Sequence, residues 1–214
     1  MNFSSWNDFV HRLRERLSAS LPGFIAQQRM LPESRKGDPI EASADARQSG
    51  VLILLYPQDG QVHLVLIERT NDGGAHSGQI ALPGGKKEPF DETIFDTALR
   101  EAREEVSLDA DAVEIIGRLS PLNIRVSNFE VHPVVAIAAS RPQLEGSAFE
   151  VARILEPALS EMFEAQSEAK VYSQANPQLF WKAPVYMLPE ETIVWGATAM
   201  ILSELEVILK EIFD

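Results

Sequence analysis

Gly84-Gly85-Lys86-Lys87-Glu88, followed after eleven residues by Arg100-Glu101-Ala102-Arg103-Glu104-Glu105, is the stretch on which the reading of this chain turns. On a helix, Glu101, Glu104 and Glu105 share one face at offsets of three and four residues. Like charges so close repel, and helix propensity does not call for them. An acidic helix face is most often a solvated one. A carboxylate cluster is also the ligand set of a hard divalent cation such as magnesium, which bridges readily to phosphate. The glycine pair lets backbone pass close to a ligand where a side chain would clash. Glycines leading into an acidic helix are thus a means of placing metal against phosphate.

Composition narrows the classes. With 214 residues and 45% apolar content the chain buries one good core, and its length argues for one domain rather than two. It has no cysteine, so disulfides, thiolate metal sites and a cysteine nucleophile are excluded. Histidines stand at 11, 63, 76 and 132, without triad or zinc-ligand spacing. No apolar run approaches the ~20 residues that span a bilayer, and Met1 to Trp6 lacks the pattern of a signal peptide. The expectation is a cytoplasmic protein with no membrane partner. A net charge of −13 argues against nucleic-acid binding, which needs Lys and Arg on phosphates. The same field repels an anionic substrate, so bound cations and a few local basic residues must reverse its sign at the site.

Along the chain, Trp6, Phe9, Val10, Leu13 and Leu17 predict an amphipathic helix that Pro22-Gly23 interrupts. Pro32 to Ser49 reads as a linker or surface loop. Val51 to Tyr56 reads as a strand buried on both faces. Asp59-Gly60 is a hairpin turn and Val62 to Ile67 the returning strand. Gln79 to Leu82 is a short strand, and Pro89, Asp91 or Thr93 starts the acidic helix, with Ile94, Ala98 and Ala102 facing inward. Val113 to Leu119 and Val131 to Ala139 read as strands, Val151 to Phe163 as an amphipathic helix, and Thr198 to Phe213 as a helix packed on the core. Strands interleaved with helices predict a mixed sheet between helical layers.

The glycine-to-glutamate segment resembles the Nudix box, whose usual form is Gly-x5-Glu-x7-Arg-Glu-U-x-Glu-Glu-x-Gly-U, with U aliphatic. Arg100, Glu101, Ala102, Glu104, Glu105 and Leu108 match its second half. Counting back seven residues from Arg100 reaches Glu92, which leaves six residues after Gly85 rather than five, and Ser107 stands at the box glycine. The resemblance implies an α/β Nudix fold, a mixed β-sheet sandwiched between helices, over residues 46–214, with 1–45 as a helical extension and linker. It implies a pyrophosphohydrolase that uses Mg2+ or Mn2+ held by Glu101, Glu104 and Glu105, where the cation neutralises a diphosphate and acidifies water. Arg100 is expected to reach Glu104 one turn on and fix it. Glu92 would be an additional ligand or bond back to the loop. Gly84 and Gly85 would hold the loop backbone close to the helix, and Lys86 and Lys87 would meet phosphate, against the reading of solvated loop lysines. The general base would be a box glutamate or a carboxylate from a distant loop; Glu150, after a Gly-Ser turn, is the candidate, against the reading of a helix-start glutamate.

Leu66-Ile67-Glu68-Arg69-Thr70 with Gly78 to Gly85 resembles the extended signature of the coenzyme A pyrophosphatase branch, Leu-Leu-Thr-x-Arg-Ser/Ala-x3-Arg-x3-Gly-x3-Phe-Pro-Gly-Gly. Arg69, Gly78, Pro83, Gly84 and Gly85 fall at its spacing; Ile67, Leu82 and Gly74 replace Thr, Phe and the second Arg. The extra box residue and Trp195 to Ala199 are also features of that branch. The implied substrate is coenzyme A or a related species, cut to 3′,5′-ADP and 4′-phosphopantetheine, with Arg69 and the Gly73 to Gln79 loop at its adenosine or 3′-phosphate end. The alternatives are ADP-ribose, NADH or another nucleoside diphosphate derivative, and a Nudix-fold binding module without turnover. The partner is a small-molecule nucleoside diphosphate, and the reading leaves room for a homodimer.

Overall fold

The computed structural model describes residues 5–35, 43–71, 77–125, 127–172 and 178–213. Two N-terminal helices, α1 (Trp6–Ser18) and α2 (Phe24–Gln27), precede β1 (Arg47–Gln58), β2 (Gln61–Leu64) and β3 (Leu66–Arg69). Then come β4 (Ile80–Ala81), β5 (Gly84–Lys86), α3 (Ile94–Val106), β6 (Val113–Arg118), β7 (Leu122–Ile124) and β8 (Phe129–Ala138). The chain ends with β9 (Val151–Leu155), α4 (Leu159–Glu164), β10 (Gln166–Tyr172), β11 (Phe180–Met187), β12 (Ile193–Val194) and α5 (Gly196–Phe213).

The main sheet runs β2-β1-β8-β6, with β5 paired to β1 and β7 to β8. β1 and β8 are parallel and the other pairs are antiparallel, so the sheet is mixed. Strand side chains alternate between faces. Leu52, Leu54 and Tyr56 accordingly pack with Ala98, Ala102 and Val106 of α3, and Ile53 and Leu55 with the α1 and α5 layer. This is the expected α/β/α arrangement, with the acidic helix as one outer layer. Among the described residues no helix is long and apolar enough to cross a membrane.

The N-terminal helix shares the core of the second layer. Phe9, Leu13 and Leu17 are buried; Phe9 stacks on Phe213 of α5 at 5.9 Å, and Arg16 pairs with Glu211. α5 is buried nearly all round, so its carboxylates need partners. Glu204 accepts from Gly23 N, Gln27 Nε2 and Ser120 Oγ, and Glu206 from Tyr186 Oη and Gln166 Nε2.

Four readings change. β1 begins at Arg47, inside the stretch read as linker, because its first residues pair with β8 from Phe129 onward. The strand read over Val62 to Ile67 divides at Val65: β2 stays on β1, while β3 joins β9 and β4 in a second sheet. Residues 151–163 are not one helix. Val151 to Leu155 pairs with β3 as a strand, and Pro157, which lacks an N–H and disfavours helix at the residue before it, separates that strand from α4. A third sheet, β10-β11-β12, has no counterpart in the sequence reading.

α3 is bounded by local chemistry. Thr93 caps it: Thr93 Oγ1 accepts from Asp96 N and Asp96 Oδ2 accepts from Thr93 N, a reciprocal capping box. At the other end Ser107, where the box has glycine, adopts φ 56°. A non-glycine residue in that conformation costs about 1–2 kcal/mol, part of which glycine's larger entropy loss takes back. Ser107→Gly is therefore expected to raise Tm by about 2–4 °C, as read by scanning calorimetry. A lowered Tm would mean that the serine side chain stabilises this end.

Candidate active site

The turn into β5 and helix α3 meet through glycine. A Cβ on Gly84 would lie 2.6 Å from Val51 Cα, and one on Gly85 would lie 2.5 Å from Glu101 Oε2. The glycine pair thus permits two close approaches, strand to strand and strand to carboxylate.

Asp91 and Arg100 fix the loop between them. Asp91 is buried and accepts from Glu88 N (2.9 Å), Thr97 Oγ1 (3.0 Å), Arg100 Nε (3.0 Å) and Arg100 Nη2 (2.9 Å). The Arg100 guanidinium donates in addition to Lys86 O (3.0 Å), Glu101 Oε1 (2.9 Å) and Glu104 Oε2 (3.1 Å). Its hydrogen bonds hold the Asp91 carboxyl down at about 2. Arg100 therefore reaches Glu104 as expected, but its principal anchor is a residue that sequence reasoning missed. Asp91 stands at the box spacing counted forward from Gly85, with five residues between them; the extra residue falls later, before Arg100. The backward count to Glu92 chose the neighbour, which is exposed and, among the described residues, is met only at its backbone oxygen, by Lys87 Nζ.

The three box glutamates differ in environment. Glu105 is 1% exposed and accepts from Gly84 N (2.8 Å) and Arg69 Nη1 (3.2 Å). Burial pushes its carboxyl up to about 7, against the pull of Gly84 and Arg69; the charges of Glu101 and Glu150 raise it further. Glu101 is also raised by burial, opposed by Arg100 and reinforced by Glu104 and Glu150. Glu104 has a side chain 56% exposed and faces solvent.

Glu150 is therefore electrostatically within reach of both Glu101 and Glu105. It follows a turn rather than starting a helix, and its loop is pinned at several points. Ser147 N donates to Glu105 O, Thr70 N to Glu150 O and Thr70 Oγ1 to Phe149 O. Lys86 is half exposed and pairs with Glu88 at 3.6 Å. Gly73, Gly74 and His76 lie outside the described residues.

Among the described residues no three His, Cys, Asp or Glu side chains are gathered as a ready metal cage, and Arg100 Nη1 bridges Glu101 and Glu104. The donor set nonetheless fits a hard divalent cation. Several carboxylates whose mutual repulsion disfavours ionisation stand beside a loop that approaches through glycine, and such a cation takes oxygen ligands.

A second concavity of about 340 Å3 lies at the junction of the two smaller sheets; its walls include Glu68, Gly78, Arg153, Lys170, Tyr172 and Trp195. The sequence reading assigned nothing to Lys170 or Tyr172.

A family model described as NUDIX domain matches residues 46–165. The chain is similar to a Nudix hydrolase named NudL from Yersinia enterocolitica, with 33% identity over 200 residues covering 93% of this chain and 96% of that protein. It is similar to proteins of the same name from Pectobacterium atrosepticum (36% over 162 residues; 74% of this chain, 81% of that one) and Yersinia pestis (35% over 164 residues; 76% and 80%).

Proposed function

Because this chain belongs to the Nudix hydrolase family, we propose that it cleaves the diphosphate of coenzyme A or a closely related molecule, giving 3′,5′-ADP and 4′-phosphopantetheine. Hydrolysis of nucleoside diphosphate derivatives is the family's activity. The observation that carries the narrower reading is the 3.2 Å contact between Arg69 and Glu105. It joins two separate stretches of sequence, the extended signature and the box, into one site.

Glu101, Glu104 and Glu105 would hold the cation, Mg2+ or Mn2+, and a cytoplasmic location belongs to the same proposal. When bound, the cation supplies charge neutralisation for the diphosphate and acidifies water. The protein's own residues do the rest. Gly84 N and Arg69 fix the Glu105 carboxylate. Asp91 fixes Arg100, and Arg100 fixes Glu101 and Glu104. Water attacks one phosphorus, the Glu150 carboxylate takes its proton, and the bond from that phosphorus to the bridging oxygen breaks.

Because no cysteine is present and no Ser-His-Asp arrangement is evident in the sequence, no covalent enzyme intermediate is expected. A reaction run in oxygen-18 water should place label in one phosphate product. Label in neither product, or a trapped phosphoryl-enzyme, contradicts direct attack by water.

Gly74 replaces an arginine of the extended signature, and a charge-assisted contact of that kind is worth about 1.5–3 kcal/mol. Coenzyme A and its dephospho form are therefore expected to show similar kcat/KM. A preference for coenzyme A above about a hundredfold, ~2.7 kcal/mol, would show that another basic residue binds the 3′-phosphate.

A further inference from the structure

The cleft beside the second sheet is separated from the box glutamates by strand β3. Arg69 reaches Glu105, whereas its neighbour Glu68 meets Arg153 in the cleft wall, as strand alternation requires. The two sites adjoin at the loop end of the β3–β4 hairpin. There Thr70 N donates to Glu150 O (3.0 Å), and Thr70 O accepts from Gly78 N (3.4 Å), a residue of the cleft wall.

We propose that the cleft receives the aminopurine base of the substrate, with Glu191 accepting from the exocyclic amine and Trp195 offering ring surface. This rests on the hydrolase reading above and names where the nucleoside end goes. At about 340 Å3 the cleft is near the small end of ligand pockets, roughly 300–1,000 Å3, and suits part of a nucleotide. Its wall carries three carboxylates, Glu68, Glu190 and Glu191, against two cations, Arg153 and Lys170, which disfavours a phosphate there. Arg153 is taken up by Glu68, Glu190 and Thr192, and the Lys170 ammonium sits 4.5 Å from the centre of the Phe180 ring. Glu191, by contrast, has no partner among the described residues. It projects from the Pro189 to Thr192 turn, closed by Leu188 N donating to Thr192 O at 2.7 Å.

The remaining walls are flat and apolar. Trp195 is held edge-on to Trp181 with ring centres 6.1 Å apart, and Tyr172 is 57% exposed. Ile80, Val171 and Ile193 add apolar surface, and Gln79 is a further polar residue of the lining. An uncharged planar ring carrying N–H donors matches an unpaired carboxylate beside aromatic surface. On its N7 edge adenine presents an amino donor; hypoxanthine presents only acceptors there, O6 and N7, which a carboxylate repels.

Equilibrium dialysis of the full chain against AMP and against IMP tests the assignment. AMP should bind about tenfold or more tightly than IMP, and Glu191→Gln, an exposed substitution, should shrink that preference to about threefold or less. Equal binding of the two nucleotides, no measurable binding of either, or an unchanged preference in Glu191→Gln would overturn it. Turnover separates the two readings. If AMP is preferred but no diphosphate is cleaved, the hydrolase reading fails and the base site stands. If an inosine analogue of coenzyme A is cleaved as efficiently as coenzyme A, the base site fails and the hydrolase reading stands.

Discussion

Glu104→Gln is expected to lower kcat about a hundredfold or more while leaving Tm within about 2 °C of the wild type. The stability half follows from position. Glu104 projects into solvent from α3, and among the described residues its side chain meets only Arg100, in an i,i+4 pair worth about 0.3–0.5 kcal/mol. The activity half follows from chemistry. Glutamine keeps the shape and the hydrogen-bonding oxygen but removes the charge that a divalent cation needs. Partners one step removed from a metal already matter by about 10–100-fold, so a ligand should matter at least as much. Steady-state rates with magnesium, together with a thermal melt, check both halves. Turnover at the wild-type rate would mean that this helix does not carry the metal.

Asp91→Ala is expected to act the other way, on the fold before the chemistry. It removes a buried carboxylate that receives four hydrogen bonds and leaves the Arg100 guanidinium, itself largely buried, without its main partner. Breaking such a pair from one side costs about 3–5 kcal/mol, or about 6–20 °C in Tm for a chain of this size. Activity measured well below the melt should fall as well, because Arg100 no longer holds Glu101 and Glu104 in place. The pH dependence has a definite sign. With the folded carboxyl at about 2 against an ordinary value of 3.8, the stabilisation is present above pH 3.8 and is lost as pH falls through about 2. A Tm drop of less than about 2 °C would show that Asp91 is not what anchors the arginine.

These two residues also mark how far the sequence could be read. The place of Glu104 on a helix face was legible because it depends on spacing along one helix, and that helix declares itself locally through the Thr93 cap and the Ala98 and Ala102 stripe. Strand β1 was legible for a similar reason: a continuous apolar run has few alternatives to burial on both faces. Asp91 was missed because one extra residue in the box can be placed before or after the acidic position, and only the contact with Arg100 decides. The division of the second strand at Val65 was hidden by its own composition. Leu64, Val65, Leu66 and Ile67 are all fully buried, so the pattern does not change where the pairing partner does. Residues 166–172 alternate weakly and are mostly exposed, so β10 depends on its ladder with β11 rather than on a hydrophobic face. Strand partnership is set by distant residues, and local periodicity carries little of it.

The most direct test of the central claim, that the box glutamates make a cation-dependent diphosphate hydrolase, is a single incubation of the protein with coenzyme A under three conditions. These are magnesium present, magnesium removed by a chelator, and magnesium restored in excess, with 3′,5′-ADP and 4′-phosphopantetheine followed by mass spectrometry. The account predicts both products with magnesium, neither with chelator, and recovery on restoration. Formation of products that continues undiminished in chelator, or no cleavage of coenzyme A or any other nucleoside diphosphate derivative in the presence of magnesium, would contradict it.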